Sequence, residues 1–202
     1  MNPPRSDGYA LRRRPVVKAL LERCPEHLVV SGLGSPTWDV ATVRDDPEVF
    51  PLWGAMGGAA MIGLGLALAQ PERRVLVVTG DGDMLMGLGS LAVIGLKRPA
   101  NLAIVVLDNE RYGETGNQAT HTAGKADLAA IAAAAGIGAA RTIGSERQLA
   151  EAAELLHDAD GPLFLAVKVR AETLPLVMPP KDGVLLKDRF RRALLGSDAV
   201  PV

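Results

Sequence analysis

Three side chains in this sequence are placed to do chemistry that a hydrophobic core does not need. The run "VVTGDGDMLMGLGSL" (77–91) is apolar and strand-like until it meets Asp81 and Asp83, threaded among Gly80 and Gly82. A second apolar run ends in "VVLDNERYG" (105–113), which offers Asn109, 28 positions past Asp81. Carboxylates at a strand tip must be solvated, paired or holding a cation, because an uncompensated buried charge is costly. A dinucleotide fingerprint fits poorly, since Leu85 stands where its last glycine or alanine belongs and a bare acidic turn repels pyrophosphate. A P-loop would need a Lys-Ser/Thr pair that is absent here. The remaining use exploits the acid: Asp81 binds a divalent cation, which bridges to a diphosphate. Gly80 and Gly82 let the backbone approach closely, and the following helix N-terminus adds positive field. Mg²⁺ prefers six oxygen ligands, so one carboxylate needs help, and Asn109 at the next strand end can supply it. Asp83 reads as a helix cap or a bare N–H donor rather than a second metal ligand. A solvated turn followed by an ordinary asparagine is the competing reading of these residues alone.

The elements that must carry these groups are legible in the apolar pattern. Strands are expected at 28–31, 74–79, 102–107, 139–143 and 163–169, with helices at 9–23, 57–69, 85–96, 126–135 and 146–157. The strands are β-branched and nearly continuous rather than alternating, as strands covered on both faces are. Alternating β and α of this kind predicts an α/β fold: a doubly wound, mostly parallel sheet with helices on both faces. Ligands of such sheets bind beyond the carboxyl ends of the strands. The 202 residues suit a single domain. Residues 171–202 read as a proline-broken tail ending in a short amphipathic helix, on which Leu185, Leu186, Phe190 and Leu194 share a face.

Composition narrows the classes. The chain is 48% hydrophobic with a formal net charge of −1, which argues against disorder and against nucleic acid as a partner. Its one basic run, Arg12–Arg14, reads as a solvated helix start. Cys24 is the only cysteine, so neither an internal disulfide nor a multi-thiolate cluster is available within the chain. No apolar stretch is long enough to span a bilayer, and no signal core opens the sequence, so no membrane association and a cytoplasmic location are expected.

The "GDG" turn followed by Asn109 resembles the signature of thiamine diphosphate-dependent 2-oxo acid decarboxylases, in their diphosphate-binding (PP-type) domain. The resemblance implies thiamine diphosphate and Mg²⁺, with the metal held by Asp81, Asn109 and the backbone oxygen of Arg111. "LWGAMGGAAMIGLGLALA" (52–69) is similar to the segment under the cofactor in that family. It implies Met56 as the wedge between the two rings and the Gly54 carbonyl as acceptor for the amino group, with Gly57, Gly80, Gly82, Asp83, Tyr112 and Gly113 in the remaining cofactor contacts. Read without the family, 52–69 is a glycine-spaced core helix with Met56 buried.

Within the family the chain resembles the beta subunit of sulfopyruvate decarboxylase and the C-terminal half of phosphonopyruvate decarboxylase. The implied reaction is decarboxylation of a small, anionic 2-oxo acid to an aldehyde. "YGETGNQATHT" (112–122) is then the loop facing substrate. Glu114 and His121 are its candidates for proton transfer, the alternatives being an exposed Glu and a His that only hydrogen-bonds its own loop. Gln118, Thr120 and Thr122 are polar enough to hold an oxyanion. The glutamate that drives the pyrimidine ring comes, in this family, from a separate domain. The chain is therefore expected to need a pyrimidine-binding alpha subunit. Rival readings are the beta subunit of a 2-oxoacid:acceptor oxidoreductase, an acetolactate-type carboligase, and a non-catalytic cofactor-binding subunit.

Overall fold

A computed structural model describes residues 5–158 and 161–199. Six strands form one parallel sheet in the order β2-β1-β3-β4-β8-β7. They are β1 (Leu28–Ser31), β2 (Val49–Pro51), β3 (Val75–Gly80), β4 (Leu102–Asp108), β7 (Ala139–Ile143) and β8 (Leu163–Lys168). The central strands β3, β4 and β8 are buried nearly end to end, as their unbroken apolar runs require. A two-stranded antiparallel ribbon, β5 (Arg111–Tyr112) and β6 (Gln118–Ala119), rises from the loop after β4.

Two apolar layers cover the sheet. On one face lie α1 (Arg13–Arg23), α2 (Ser35–Ala41) and α7 (Glu146–Asp158). On the other lie α3 (Ala59–Ala69), α4 (Asp81–Met86), α5 (Ser90–Lys97), α6 (Leu128–Ala134) and α8 (Gly183–Leu195). The doubly wound expectation thus holds, and a parallel sheet of this kind can only be joined by such crossovers. From β1 the chain steps outward to β2, then crosses back past β1 to β3. The direction of winding therefore reverses between β1 and β3, and that reversal opens a crevice at their carboxyl ends.

Several local expectations are corrected. The helix expected at 85–96 is two helices, and the "GDG" turn is itself the first turn of α4. The break falls at Gly87, whose Cα lies against the Gly57 carbonyl so closely that no Cβ fits. The "SGLGSPT" turn hides α2, which opens with Pro36 near its start. Arg13 is not solvated: it is 5% exposed, and its Nε lies 3.0 Å from the buried Asp39 carboxylate, which Arg14 also meets at 3.1 Å. On α8, Leu186 and Phe190 are buried and Leu194 packs beside them, but Leu185 points outward at 52% exposure. Phe190 meets Phe50 of β2 with ring centroids 5.4 Å apart, which docks this helix on the sheet.

Candidate active site

The crevice at the β1/β3 reversal is walled by three segments. Leu33, Ser35 and Pro36 come from the β1–α2 turn; Gly80, Asp81, Gly82 and Asp83 from the start of α4; Asn109, Arg111, Tyr112, Gly113, Glu114 and Thr115 from the loop after β4. Met56 closes one side and Arg13 another. The loop after β4 is bent into place by its own side chain, since Asn109 Oδ1 accepts a hydrogen bond from the Arg111 N–H at 3.0 Å. Between them Glu110 takes a left-handed φ of 60° and is fully buried. Its carboxylate accepts from the Tyr9 hydroxyl at 2.6 Å and from Lys168 Nζ at 3.3 Å.

Asp81 is 2% exposed at the crevice floor. Its Oδ2 accepts from Thr120 Oγ1 at 2.5 Å and lies 3.2 Å from Thr122 Oγ1. Thr122 Oγ1 in turn stands 2.7 Å from Asp108 Oδ1, and Lys168 Nζ stands 2.7 Å from Asp108 Oδ2. Burial, and after it the Asp108 carboxylate, push the Asp81 carboxyl up to about 7. Lys168 thus pairs with Asp108 and Glu110, and Asp81 joins Asp108 through Thr122, while among the described residues no cationic side chain pairs with Asp81 itself. A divalent cation in the crevice would supply a positive partner for the buried Asp81 carboxylate. The donor set also fits: one carboxylate, the Asn109 amide oxygen and a backbone carbonyl are hard oxygen ligands suited to Mg²⁺.

Asp83 does not cap a helix end. One carboxylate oxygen accepts from the Gly57 N–H and the other from the Thr79 hydroxyl, so it straps the 52–58 turn to the tip of β3. Tyr112 lies on the crevice floor itself: a Cβ on Gly82 would come within 2.8 Å of its ring. Met56 is 37% exposed and Gly54 has open space at its α-carbon, so this turn is not packed as a core helix end. Glu114 reaches over the β1–α2 turn, where a Gly34 Cβ would lie 2.8 Å from its Oε1. His121 is exposed in a 3-10 turn (His121–Ala123) and is not among the residues walling the crevice. Gln118 is exposed and bonds Thr115, while Thr120 and Thr122 face the buried carboxylates rather than an open oxyanion site.

Sequence reasoning missed Ser35, Leu33 and Pro36 as walls, although a strand followed by "GLGSP" was a signal for them. It also missed Asp108, Glu110 and Lys168, for which no local signal exists because Lys168 lies 60 positions from Asp108.

A family model, the thiamine pyrophosphate enzyme C-terminal TPP binding domain, matches residues 34–167. The chain belongs to this family. The match opens at Gly34 of the crevice and closes at the end of β8, so this thiamine pyrophosphate-binding domain contains each wall described above except Arg13 and Leu33. Sulfopyruvate decarboxylase subunit beta of Methanothermobacter thermautotrophicus is 36% identical over 187 residues, covering 93% of this chain and 97% of that one. Phosphonopyruvate decarboxylase of Streptomyces viridochromogenes is 38% identical over 179 residues, covering 89% of this chain but 45% of the longer protein. A solved structure described as a thiamin diphosphate-dependent enzyme from Mycobacterium smegmatis superposes with a TM-score of 0.70 at 22% identity, over 80% of this chain and 32% of that one. That likeness concerns the fold. Among the described residues no helix is long and apolar enough to cross a membrane.

Proposed function

We propose that this chain is the diphosphate-binding subunit of a thiamine diphosphate- and Mg²⁺-dependent decarboxylase acting on a small anionic 2-oxo acid of the sulfopyruvate or phosphonopyruvate type. The observation that carries the reading is a buried carboxylate, Asp81, facing Asn109 and Arg111 across a crevice at the sheet's topological reversal. Asp81, Asn109 and the Arg111 carbonyl would hold the metal. Gly80, Gly82, Tyr112 and Gly113 would line the diphosphate, and Gly54, Met56 and Gly57 the rings, with Asp83 fixing the Gly57 turn. Bound thiamine diphosphate supplies the electron sink for losing CO₂ from a 2-oxo acid. The chain's own part is to bind, orient and neutralise. Glu114, which lines the crevice, would handle a proton. His121, outside that wall, would do so only where a partner encloses it.

The reading includes a pyrimidine-binding partner. The carboxylates walling the crevice are Asp81, Asp83 and Glu114; the first two are engaged by Thr120, Gly57 and Thr79. In this reading a proton-handling glutamate for the far ring would come from the partner, which the engagement of Asp81 and Asp83 supports. Met61 and Leu68 of α3, Met86 of α4, and Val93 and Leu96 of α5 are exposed apolar side chains, the composition of an association surface. An oxidoreductase beta subunit that keeps its own cluster is disfavoured by the single, buried Cys24.

The test is direct. The chain is purified with a candidate pyrimidine-binding partner subunit and assayed for CO₂ release from 3-sulfopyruvate and 3-phosphonopyruvate. Activity is expected with thiamine diphosphate and Mg²⁺, lost on chelation and restored by the metal. No decarboxylation with either acid, together with no calorimetric binding of thiamine diphosphate, would sink the reading.

A further inference from the structure

We propose that Thr120 and Thr122 are positioning residues that set the Asp81 carboxylate for the metal, an inference that rests on the metal site described under the proposed function. Both threonines are almost fully buried, at 4% and 1% exposure. Neither hydroxyl faces the crevice. Thr120 Oγ1 donates its one proton to Asp81 Oδ2 at 2.5 Å. Thr122 Oγ1 lies nearer Asp108 Oδ1, at 2.7 Å, than Asp81 Oδ2, at 3.2 Å, so its proton belongs to Asp108. The two hydroxyls stand 2.8 Å apart. Two buried carboxylates, from the ends of β3 and β4, are thereby spaced by a pair of hydroxyls instead of meeting directly.

The Thr120 bond holds Oδ2 and so restricts rotation of the Asp81 carboxylate about its side-chain bond, while Thr122, bonded to Asp108, keeps the two carboxylates apart. A ligand held in one orientation by a second layer of hydrogen bonds binds metal more tightly than one free to rotate. The threonines also belong to the loop that carries Asn109 and Arg111. That loop is closed by the Thr120 N–H on the Glu110 carbonyl at 3.0 Å and by the β5–β6 pairing of Arg111 with Ala119. The same residues that orient Asp81 therefore set its distance from the other candidate ligands. Valine keeps the shape of threonine and the backbone N–H, so a Thr→Val exchange removes the hydroxyl while leaving loop closure in place.

The experiment measures Mn²⁺ as a paramagnetic stand-in for Mg²⁺, by electron paramagnetic resonance, on the full chain with its companion subunit and saturating thiamine diphosphate. Asp81→Ala serves as the reference for a lost ligand. Thr120→Val is expected to raise the Mn²⁺ dissociation constant by about 10- to 100-fold, and Thr122→Val by less, because its hydroxyl is farther from Asp81. Thr120→Ser restores the hydroxyl and is expected to return binding close to the parent, a rescue that loop packing alone would not give. Thermal melting of the cofactor-free chain is followed in parallel, and Thr120→Ala replaces the valine variant if that one does not fold. Parent-like Mn²⁺ affinity in folded Thr120→Val and Thr122→Val, with Asp81→Ala losing the ion, overturns this inference and leaves the metal site standing. Unchanged binding in Asp81→Ala overturns both.

Discussion

The two ends of the central sheet bury polar groups in opposite ways. At the amino-terminal end, donors meet backbone carbonyls. Asn101, just before β4, directs its amide nitrogen to the carbonyls of Ala67, Gln70 and Arg73 at 3.0, 2.9 and 2.7 Å. Arg44 reaches the Cys24 and His27 carbonyls at 3.3 and 3.2 Å, and His27 Nε2 lies 3.3 Å from the Leu156 carbonyl. These bonds satisfy carbonyls left over at helix ends and strand entries, which is a stability function. At the carboxyl end, Asp108 and Glu110 share Lys168, and Asp81 is buried beside Asp108 with two threonine hydroxyls between them. An arrangement that pushes a carboxyl up to about 7 does not favour the folded chain by itself; it is the kind of tension found where a ligand is expected.

The largest effect that could break this contrast is loss of function at the carboxyl end without loss of fold. Asp81→Ala and Asn109→Ala are each expected to drop decarboxylation by the assembled enzyme to background. The circular dichroism spectrum of the chain should not change, and the cofactor-free melting temperature should not fall for Asp81→Ala, since one member of a crowded acid group is removed. Full activity in both variants would mean that the acidic end is ordinary structure. Next is Met56, whose exposed side chain contributes little to the core. Met56→Ala should cut turnover by roughly ten- to a hundredfold through misplaced geometry. Its stability should stay within about 0.5 kcal/mol of the parent in urea melts. A stability loss without a turnover loss would reassign Met56 to packing.

The amino-terminal end should respond in reverse. Asn101→Ala removes the side-chain donor from the Ala67, Gln70 and Arg73 carbonyls, of which Gln70 keeps the Arg73 N–H, and is expected to cost about 1–3 kcal/mol in urea melts while leaving kcat unchanged. A variant that melts like the parent would show that those carbonyls find other donors.

The same contrast explains what could be read from the sequence. Continuous β-branched runs gave β1, β3, β4 and β8 within a residue or so, because burial on both faces leaves a local pattern, while the edge strand β7 was found although it is largely uncovered. Short or glycine-led elements left none: β2 is three residues ending in Pro51, and α2 begins behind Gly34. The break between α4 and α5 was invisible because its cause, the Gly57 backbone against Gly87, lies 30 positions away. At the site, Asp81 and Asn109 were legible since each follows directly from a strand end. The inward turn of Thr120 and Thr122 was not, because it depends on Asp81 and Asp108, the former 39 positions from Thr120. Asp83 shows the limit of local reasoning: its place after Gly82 suggested a cap, and its actual partners come from Gly57 and Thr79.

The smallest effect concerns Cys24 at the amino-terminal end. The thiol is fully buried, and burial raises it from 9.0 to about 11 against the pull of Arg44, Arg74 and Arg23. A folded thiol that holds its proton longer than the unfolded one stabilises the fold relative to the alkaline unfolded chain only below the unfolded value. As pH climbs from 9.0 to about 11 the unfolded chain ionises first, so this contribution is lost with rising pH. The slope from this one group cannot exceed about 1.4 kcal/mol per pH unit. Urea melts at pH 8 and pH 10 should therefore show a steeper loss for the parent than for Cys24→Ala. The native thiol should also resist alkylation at pH 8, where an exposed cysteine reacts. Parallel losses in parent and variant would place the alkaline sensitivity elsewhere. A rapidly alkylated thiol would contradict the burial of Cys24, and with it the claim that the amino-terminal end serves the fold alone.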